Sequence, residues 1–110
     1  MKIDILKKEE ITILQISGNL DAESVAAFKK TAGKIVEEGC THLILDCKAL
    51  EFIDSMGLGA IISLLRKVRS QQGDIKIAAL SPDVRSVFEI TRLHRLFEIT
   101  PDMESAYQKF

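Results

Sequence analysis

The sequence contains no tryptophan, only two prolines and two cysteines, and no apolar run long enough to span a bilayer. Its first residues, Met1-Lys2-Ile3-Asp4, lack the apolar core of a secretory signal. Cys40 and Cys47 fit neither a CxxC motif nor a paired metal spacing, and His42 and His94 stand far apart. We therefore expect free thiols, no metal, no membrane insertion and a cytoplasmic location.

The sequence also has no marked excess of positive or negative charge. Lysine and arginine number 15 against 16 acids, which gives a formal net charge of −1. Basic and acidic residues are interspersed, so the sequence shows no basic footprint for nucleic acid. With 46% hydrophobic and 28% charged residues, the composition is that of an ordinary globular protein. At this length we expect a single domain over residues 1–110.

The segment that organises the chain is Asp54-Ser55-Met56-Gly57-Leu58-Gly59, at a predicted helix start. Asp54 is a strong N-cap residue, so Ser55 becomes the first helical residue and its hydroxyl is not needed for capping. Glycine costs about 1 kcal/mol relative to alanine inside a helix. Two glycines in this position, Gly57 and Gly59, therefore indicate the close approach of another surface.

Apolar periodicity predicts the remaining elements. Residues 3–5 and 12–16 form a β-hairpin, and the continuous apolar run at 43–45 is a central strand covered on both faces. Further strands are predicted at 75–79 and 96–99, with residues 47–53 as a connector. Ser81-Pro82 and Thr100-Pro101 are each interpreted as an N-cap followed by proline at the first helical position.

The order β-β-α-β-α-β-α-β-α predicts an α/β fold, a mixed sheet with an N-terminal β-hairpin and four helices. The first helix is expected to be capped by Asp21 or a neighbour, and to end at Gly39. Sites in such sheets lie outside the carboxyl ends of the parallel strands. Ser55 would lie on that rim.

Catalytic motifs are incomplete in this segment. Residues 53–57 lack the first glycine of a nucleophile elbow, and no histidine is placed to activate Ser55. Gly57 and Gly59 alone make neither a dinucleotide fingerprint nor a P-loop. We predict that the protein is not an enzyme and uses no cofactor.

Three motifs together carry a family resemblance. They are the Asp-Ser-x-Gly-Leu-Gly pattern at 54–59, Gly18-Asn19-Leu20-Asp21, and Ser81-Pro82 leading to residues 93–97. This combination resembles the STAS domain and, more narrowly, the bacterial anti-sigma factor antagonists. The match runs from the first strand to the last helix, which implies a STAS-like single domain.

The resemblance implies a switch between partners. In that family, an anti-sigma factor with serine kinase activity phosphorylates the serine that follows the aspartate, and a serine phosphatase removes the phosphate. The unphosphorylated protein binds the anti-sigma factor and releases its sigma factor. Carried over to this sequence, the phosphorylation site is Ser55. The partner-binding residues would be Asp21, Asp54, Ser55, Met56, Gly57 and Gly59.

The sequence departs from the family pattern at two positions and leaves one alternative open. Met56 puts a flexible apolar side chain beside the serine. Arg92 stands where many members carry glycine, which would be unfavourable if that residue is left-handed. The alternative is a non-switching STAS protein, either a subunit of a lipid-transport complex or a scaffold in a stress-signalling assembly.

Overall fold

The computed structural model describes residues 1–110 and contains a six-stranded sheet with four α-helices. The strands are β1 (Lys2–Lys8), β2 (Ile11–Leu20), β3 (His42–Asp46), β4 (Leu50–Ile53), β5 (Asp74–Ala78) and β6 (Glu98–Thr100). The helices are α1 (Val25–Glu37), α2 (Ser55–Arg69), α3 (Pro82–Ile90) and α4 (Met103–Gln108). The α/β class, the mixed sheet and the N-terminal hairpin are confirmed.

The sheet runs in the order β1-β2-β3-β5-β6, with β1 antiparallel to β2 and the others parallel. The predicted central strand is confirmed, since β3 occupies the middle and Leu43, Ile44 and Leu45 are all buried. Leu43 and Leu45 join the large core with α1, α2 and α3. Ile44 points the other way, into a smaller core with Ala106 of α4.

The predicted connector at 47–53 is wrong, because it contains β4. This strand pairs in parallel with the end of β2, where Gly18 faces Leu50 and Leu20 faces Ile53. Only Leu50 and Ile53 of the strand are buried, while Phe52 is exposed. Four residues without alternation give no strand signal in the sequence, so only the pairing with β2 defines this element.

The predicted N-cap of the last helix is also wrong. Thr100 belongs to β6, and its buried hydroxyl donates to the carbonyl oxygens of Ile77 at 3.2 Å and Asp102 at 3.1 Å. Asp102 caps α4 instead, since its carboxylate accepts from the N–H of Ser105 at 2.8 Å. The interpretation of Ser81-Pro82 as N-cap and first helical residue is confirmed.

The last strand begins two residues later than predicted, because a 3-10 turn at Leu93–Arg95 follows α3. Arg92 precedes that turn with φ 62° and ψ 14°, in the left-handed region. A residue with a Cβ is disfavoured there by about 1–2 kcal/mol. Arg92 therefore takes, at a cost, the conformation for which glycine is suited.

Candidate functional site

The α2 N-terminus is fixed by Asp54, as the sequence predicts. One carboxylate oxygen accepts from the N–H of Gly57 at 2.9 Å, which caps the helix. The other oxygen accepts from the N–H of Ala22 at 3.0 Å, in the loop between β2 and α1. Asp54 thus links the start of α2 to the loop between β2 and α1.

That loop is rigidified by Asp21. Its carboxylate accepts from the backbone N–H groups of Glu23 at 3.1 Å and Ser24 at 3.2 Å. The Ser24 hydroxyl donates in turn to the carbonyl oxygen of Asn19 at 2.8 Å. The N-cap position of α1 is Ser24, a neighbour of Asp21, and the Asp21 side chain shapes the turn that precedes the helix.

Ser55 is the first residue of α2 and is exposed. Its hydroxyl makes no hydrogen bond within the protein, and the expectation that the cap forms without it is confirmed. The backbone N–H groups of Ser55 and Met56 also have no partner, as is usual for a first helical turn. A free hydroxyl therefore lies beside free backbone donors at the positive end of a helix.

The two glycines of the segment have different environments. Gly57 is buried, and a Cβ there would collide with the carbonyl oxygen of Leu20 and lie 2.9 Å from Ile53 Cγ1. Gly59 is exposed, and a Cβ there would meet nothing within 4 Å. The close approach at Gly57 is made by the protein's own β2, so only Gly59 leaves open surface for another molecule.

Two apolar side chains flank Ser55 in the sequence and are exposed. Phe52 and Met56 are each 51% exposed, which is high for residues of this size. The sequence points to Met56 but not to Phe52, because Phe52 lies in the segment 47–53 that is predicted to be a connector. The signal available in the sequence was a large aromatic residue two positions before the Asp54 cap.

Acidic side chains predominate around Ser55, although Met1 lines the same groove as Asp21, Glu23 and Glu51. Asp21 and Glu23 belong to the loop before α1, Glu51 belongs to β4, and Asp54 caps α2. None of the ion pairs of the protein involves these four acids. We refer to the surface formed by these four acids with Phe52, Ser55, Met56 and Gly59 as the acidic corner.

The cysteines and histidines of the protein are not among the residues of the acidic corner. Burial, with a smaller contribution from Asp46, raises the pKa of the Cys47 thiol to about 12, so this thiol stays protonated. Cys40 is also a free thiol. His42 packs on Phe110 with ring centroids 5.5 Å apart, and no cluster of three potential metal ligands occurs. None of the helices has both the length and the apolar character that a membrane crossing requires.

Comparison with known proteins identifies the class that this fold defines. Residues 2–106 match the STAS domain, so the chain belongs to the STAS-domain family. The anti-sigma-B factor antagonist of Bacillus subtilis is 26% identical over 98% of both chains.

Solved structures agree with this assignment at the level of the fold. An anti-sigma factor antagonist from Mycobacterium paratuberculosis is 21% identical and superimposes with a TM-score of 0.91, covering 98% of this chain and 92% of that one. The Bacillus cell fate determinant SpoIIAA in its phosphorylated form gives a TM-score of 0.76 at 22% identity, covering 98% of each chain. At this identity the likeness shows a common fold.

Proposed function

We propose that this protein is an anti-sigma factor antagonist whose unphosphorylated form binds an anti-sigma factor with serine kinase activity through the acidic corner. Phosphorylation of Ser55 by that kinase ends the binding, and a serine phosphatase restores it. The observation that carries the proposal is the exposed, unbonded Ser55 hydroxyl beside an N-cap that Asp54 already supplies. The Bacillus subtilis relative, an anti-sigma-B factor antagonist, supports the choice of partner. We expect the exchange to occur in the cytoplasm.

The fold tolerates the modification. A phosphate adds about −1.5 to −2 charge at neutral pH. At a helix N-terminus the free N–H groups and the helix dipole favour an anion by up to about 2 kcal/mol. Because the unbonded N–H groups of Ser55 and Met56 lie at that end of α2, the phosphoserine gains local donors and the domain keeps its structure.

The interface with the partner does not tolerate it. A face shaped to contact a neutral hydroxyl would bury the phosphate without a matched cation, at a cost of several kcal/mol. The carboxylates of Asp54 and Asp21 already make the corner negative, so the new charge also meets repulsion. A loss of about 4 kcal/mol lowers affinity nearly a thousandfold, which is enough for a switch.

Binding of the purified cognate anti-sigma factor to three variants tests the proposal. Ser55→Ala should bind as wild type does or more tightly, and Ser55→Asp should bind at least about a hundredfold more weakly. Ser63→Asp is the matched control, since Ser63 is also exposed on α2 and carries the same charge change about 12 Å farther along the helix. The control should bind within about twofold of wild type, well under 1 kcal/mol.

The modification itself is tested by incubating the protein with the anti-sigma factor and ATP and mapping the phosphate by mass spectrometry. We expect a single phosphate on Ser55. A phosphate on Ser63 or Thr91 would refute the site. Equal affinity of the anti-sigma factor for wild type, Ser55→Ala and Ser55→Asp would refute the switch and would favour a permanent subunit of a larger complex.

A further inference from the structure

A second surface lies far from Ser55, between the edge strand β1 and helix α1. It is an open groove of about 420 Å³. Its lining includes Ile5 and Lys7 of β1 and Lys30, Lys34 and Ile35 of α1. We refer to these residues, together with the free edge of β1, as the basic edge.

The lysines of the basic edge are unpaired. Lys7, Lys30 and Lys34 make no ion pair, although Glu38 also lines the groove. Lys30 and Lys34 stand four residues apart on one face of α1, where two like charges destabilise a helix by about 0.2–0.5 kcal/mol. A negatively charged partner would relieve the repulsion between these two lysines.

Backbone groups along the edge are available too. β1 is the first strand in the sheet order and pairs on one side only, with β2. Its seven residues keep one register with β2 throughout, with no proline and no bulge. Ile5 and Leu6, on its two faces, are 42% and 47% exposed. The strand therefore offers a row of unpaired hydrogen-bonding groups and two apolar contacts to an added strand.

Lysines on an edge strand also serve to prevent self-association. Their charge therefore bears on whether a second copy of this protein or an acidic segment of another protein binds to β1. A second copy pairing antiparallel about Ile5 would put Lys2 opposite Lys8, and like charges directly opposite one another are destabilising. An acidic strand would instead meet Lys7, Lys30 and Lys34 with opposite charge. Repulsion between Lys2 and Lys8 disfavours a copy of the strand in that register, and the three lysines favour a negatively charged segment.

We propose that the basic edge is a docking site for an acidic, extended segment of a partner protein, which adds to β1 as a seventh strand of the sheet. Main-chain hydrogen bonds to β1 hold the segment, and its carboxylates contact the lysines of α1. Residues on one face of the segment lie over Ile5 and α1, and those on the other face contact Leu6.

This site is independent of the proposed switch. Lys7 pairs with Thr12 at the start of β2, whereas β4, which leads into Ser55, pairs with Leu20 at the end of β2. Eight residues of extended chain separate those positions, about 26 Å. Failure of one proposal therefore leaves the other testable with its own variants.

The test uses a synthetic peptide, acetyl-Glu-Val-Glu-Ile-Glu-Val-Glu-amide, titrated into the ¹⁵N-labelled protein. We expect chemical-shift changes in β1 and α1, and slower exchange of those β1 amide protons that are not bonded to β2. A second peptide, N-methylated at alternate residues, keeps the charges and loses backbone donors. It should bind at least about tenfold more weakly, the equivalent of one or two lost hydrogen bonds.

Charge reversal supplies the matched variants. Lys30→Glu combined with Lys34→Glu should weaken peptide binding by about tenfold or more. The control is Lys48→Glu combined with Arg66→Glu, which changes the net charge equally at exposed, unpaired residues outside the groove. The control should bind the peptide within about twofold of wild type.

Several results would overturn the proposal. They are no binding of the peptide, equal binding of the N-methylated peptide, equal binding of a peptide with lysine in place of glutamate, or unchanged protection of the β1 amides. A dimer of the protein that protects the same amides would assign the edge to a second copy. Stronger binding of an oligonucleotide or of anionic lipid vesicles would assign it to a different class of partner.

Discussion

The acidic corner and the basic edge use charge in opposite ways. At the corner, the carboxylates of Asp54 and Asp21 are engaged with backbone N–H groups, and the reactive feature is one neutral hydroxyl without a partner. At the edge, the charges of Lys30 and Lys34 are engaged with nothing in the protein.

Whether the charged groups of a surface are already bonded determines how selectively that surface recognises a partner. A rigid surface with its polar groups already bonded recognises a partner by shape, and a single added charge disrupts the contact. A surface of flexible, unpaired lysines on a free strand attracts any chain of opposite charge that can extend along it. The corner is suited to an on-off switch and the edge to constitutive docking.

The largest expected effect is a change in binding affinity at one surface that leaves binding at the other surface unchanged. Ser55→Asp should lower affinity for the anti-sigma factor up to about a thousandfold and leave binding of the acidic peptide within about twofold. Lys30→Glu with Lys34→Glu should weaken binding of the acidic peptide by about tenfold or more and leave affinity for the anti-sigma factor within about twofold of wild type. Isothermal titration calorimetry of both ligands against both variants measures the four values. Loss of both activities in either variant would contradict two separate surfaces.

The rigidity of the corner depends on Gly57. Gly57→Ala should reduce the free energy of unfolding by about 1–3 kcal/mol, because the added Cβ is forced into the Leu20 carbonyl and Ile53. Urea denaturation followed by circular dichroism gives the change from the midpoint and slope. An unchanged midpoint would mean that α2 is not held against β2 as closely as the structure shows.

Gly59 provides the matched position, two residues along the same helix. Gly59→Ala should raise the free energy of unfolding by up to about 1 kcal/mol, since alanine favours helix and nothing lies within 4 Å of the new Cβ. The same change should weaken binding of the anti-sigma factor, because the methyl group stands on the contact surface. A more stable variant with undiminished binding would remove Gly59 from the interface.

The contrast between these glycines shows where the sequence was informative and where it was not. Helix starts at Ser55 and Pro82 follow from local capping chemistry, so they could be predicted from a few residues. The roles of Gly57 and Gly59 could not, because they depend on whether the end of β2 lies against that side of the helix. Whether a glycine in a helix is buried or exposed depends on packing against segments that are distant in the sequence.

The basic edge was missed for a related reason. In the sequence, Lys7 is separated from Lys30 and Lys34 by a strand and a loop, and the nearly neutral composition gave no sign of a cluster. Only the pairing of β1 with β2 and the position of α1 bring these lysines to one groove. The spacing of Lys30 and Lys34 on one helix face was the one local clue.

The ion pairs of Asp74 with Lys76 and Arg69 show how charges behave in this protein when they have partners, for comparison with the acidic corner and the basic edge. Asp74 contacts Lys76 at 2.8 Å and Arg69 at 3.2 Å. Burial acts to raise the pKa of Asp74, but the Lys76 hydrogen bond, the Ile75 N–H and the charges of Lys76 and Arg69 together lower it below the ordinary value. This carboxylate is therefore a stabilising group in its ionised form.

Asp74→Asn tests that cluster. Because the folded-state pKa is lowered, the stabilisation is present above the ordinary aspartate pKa of about 3.9 and is lost as the pH falls through the lowered value. At pH 7 the variant should unfold about 1 kcal/mol more easily. Denaturation curves between pH 7 and pH 2 should show the difference closing in acid. A difference that persists undiminished at pH 2 would contradict an electrostatic origin.

The smallest effect concerns the free protein at the basic edge. Lys30→Glu replaces a repelling pair with a glutamate four residues before Lys34, a favourable orientation on a helix. The change should stabilise the protein by about 0.5 kcal/mol at low salt, and less at high salt. Lys48→Glu is the control, because Lys48 lies outside the helices and makes no ion pair.

A Lys30→Glu variant that gains stability but no longer binds the acidic peptide would show that the lysine pair serves binding at the expense of stability. No gain in stability would mean that the two side chains avoid each other in solution, and the strain argument for the edge would fail.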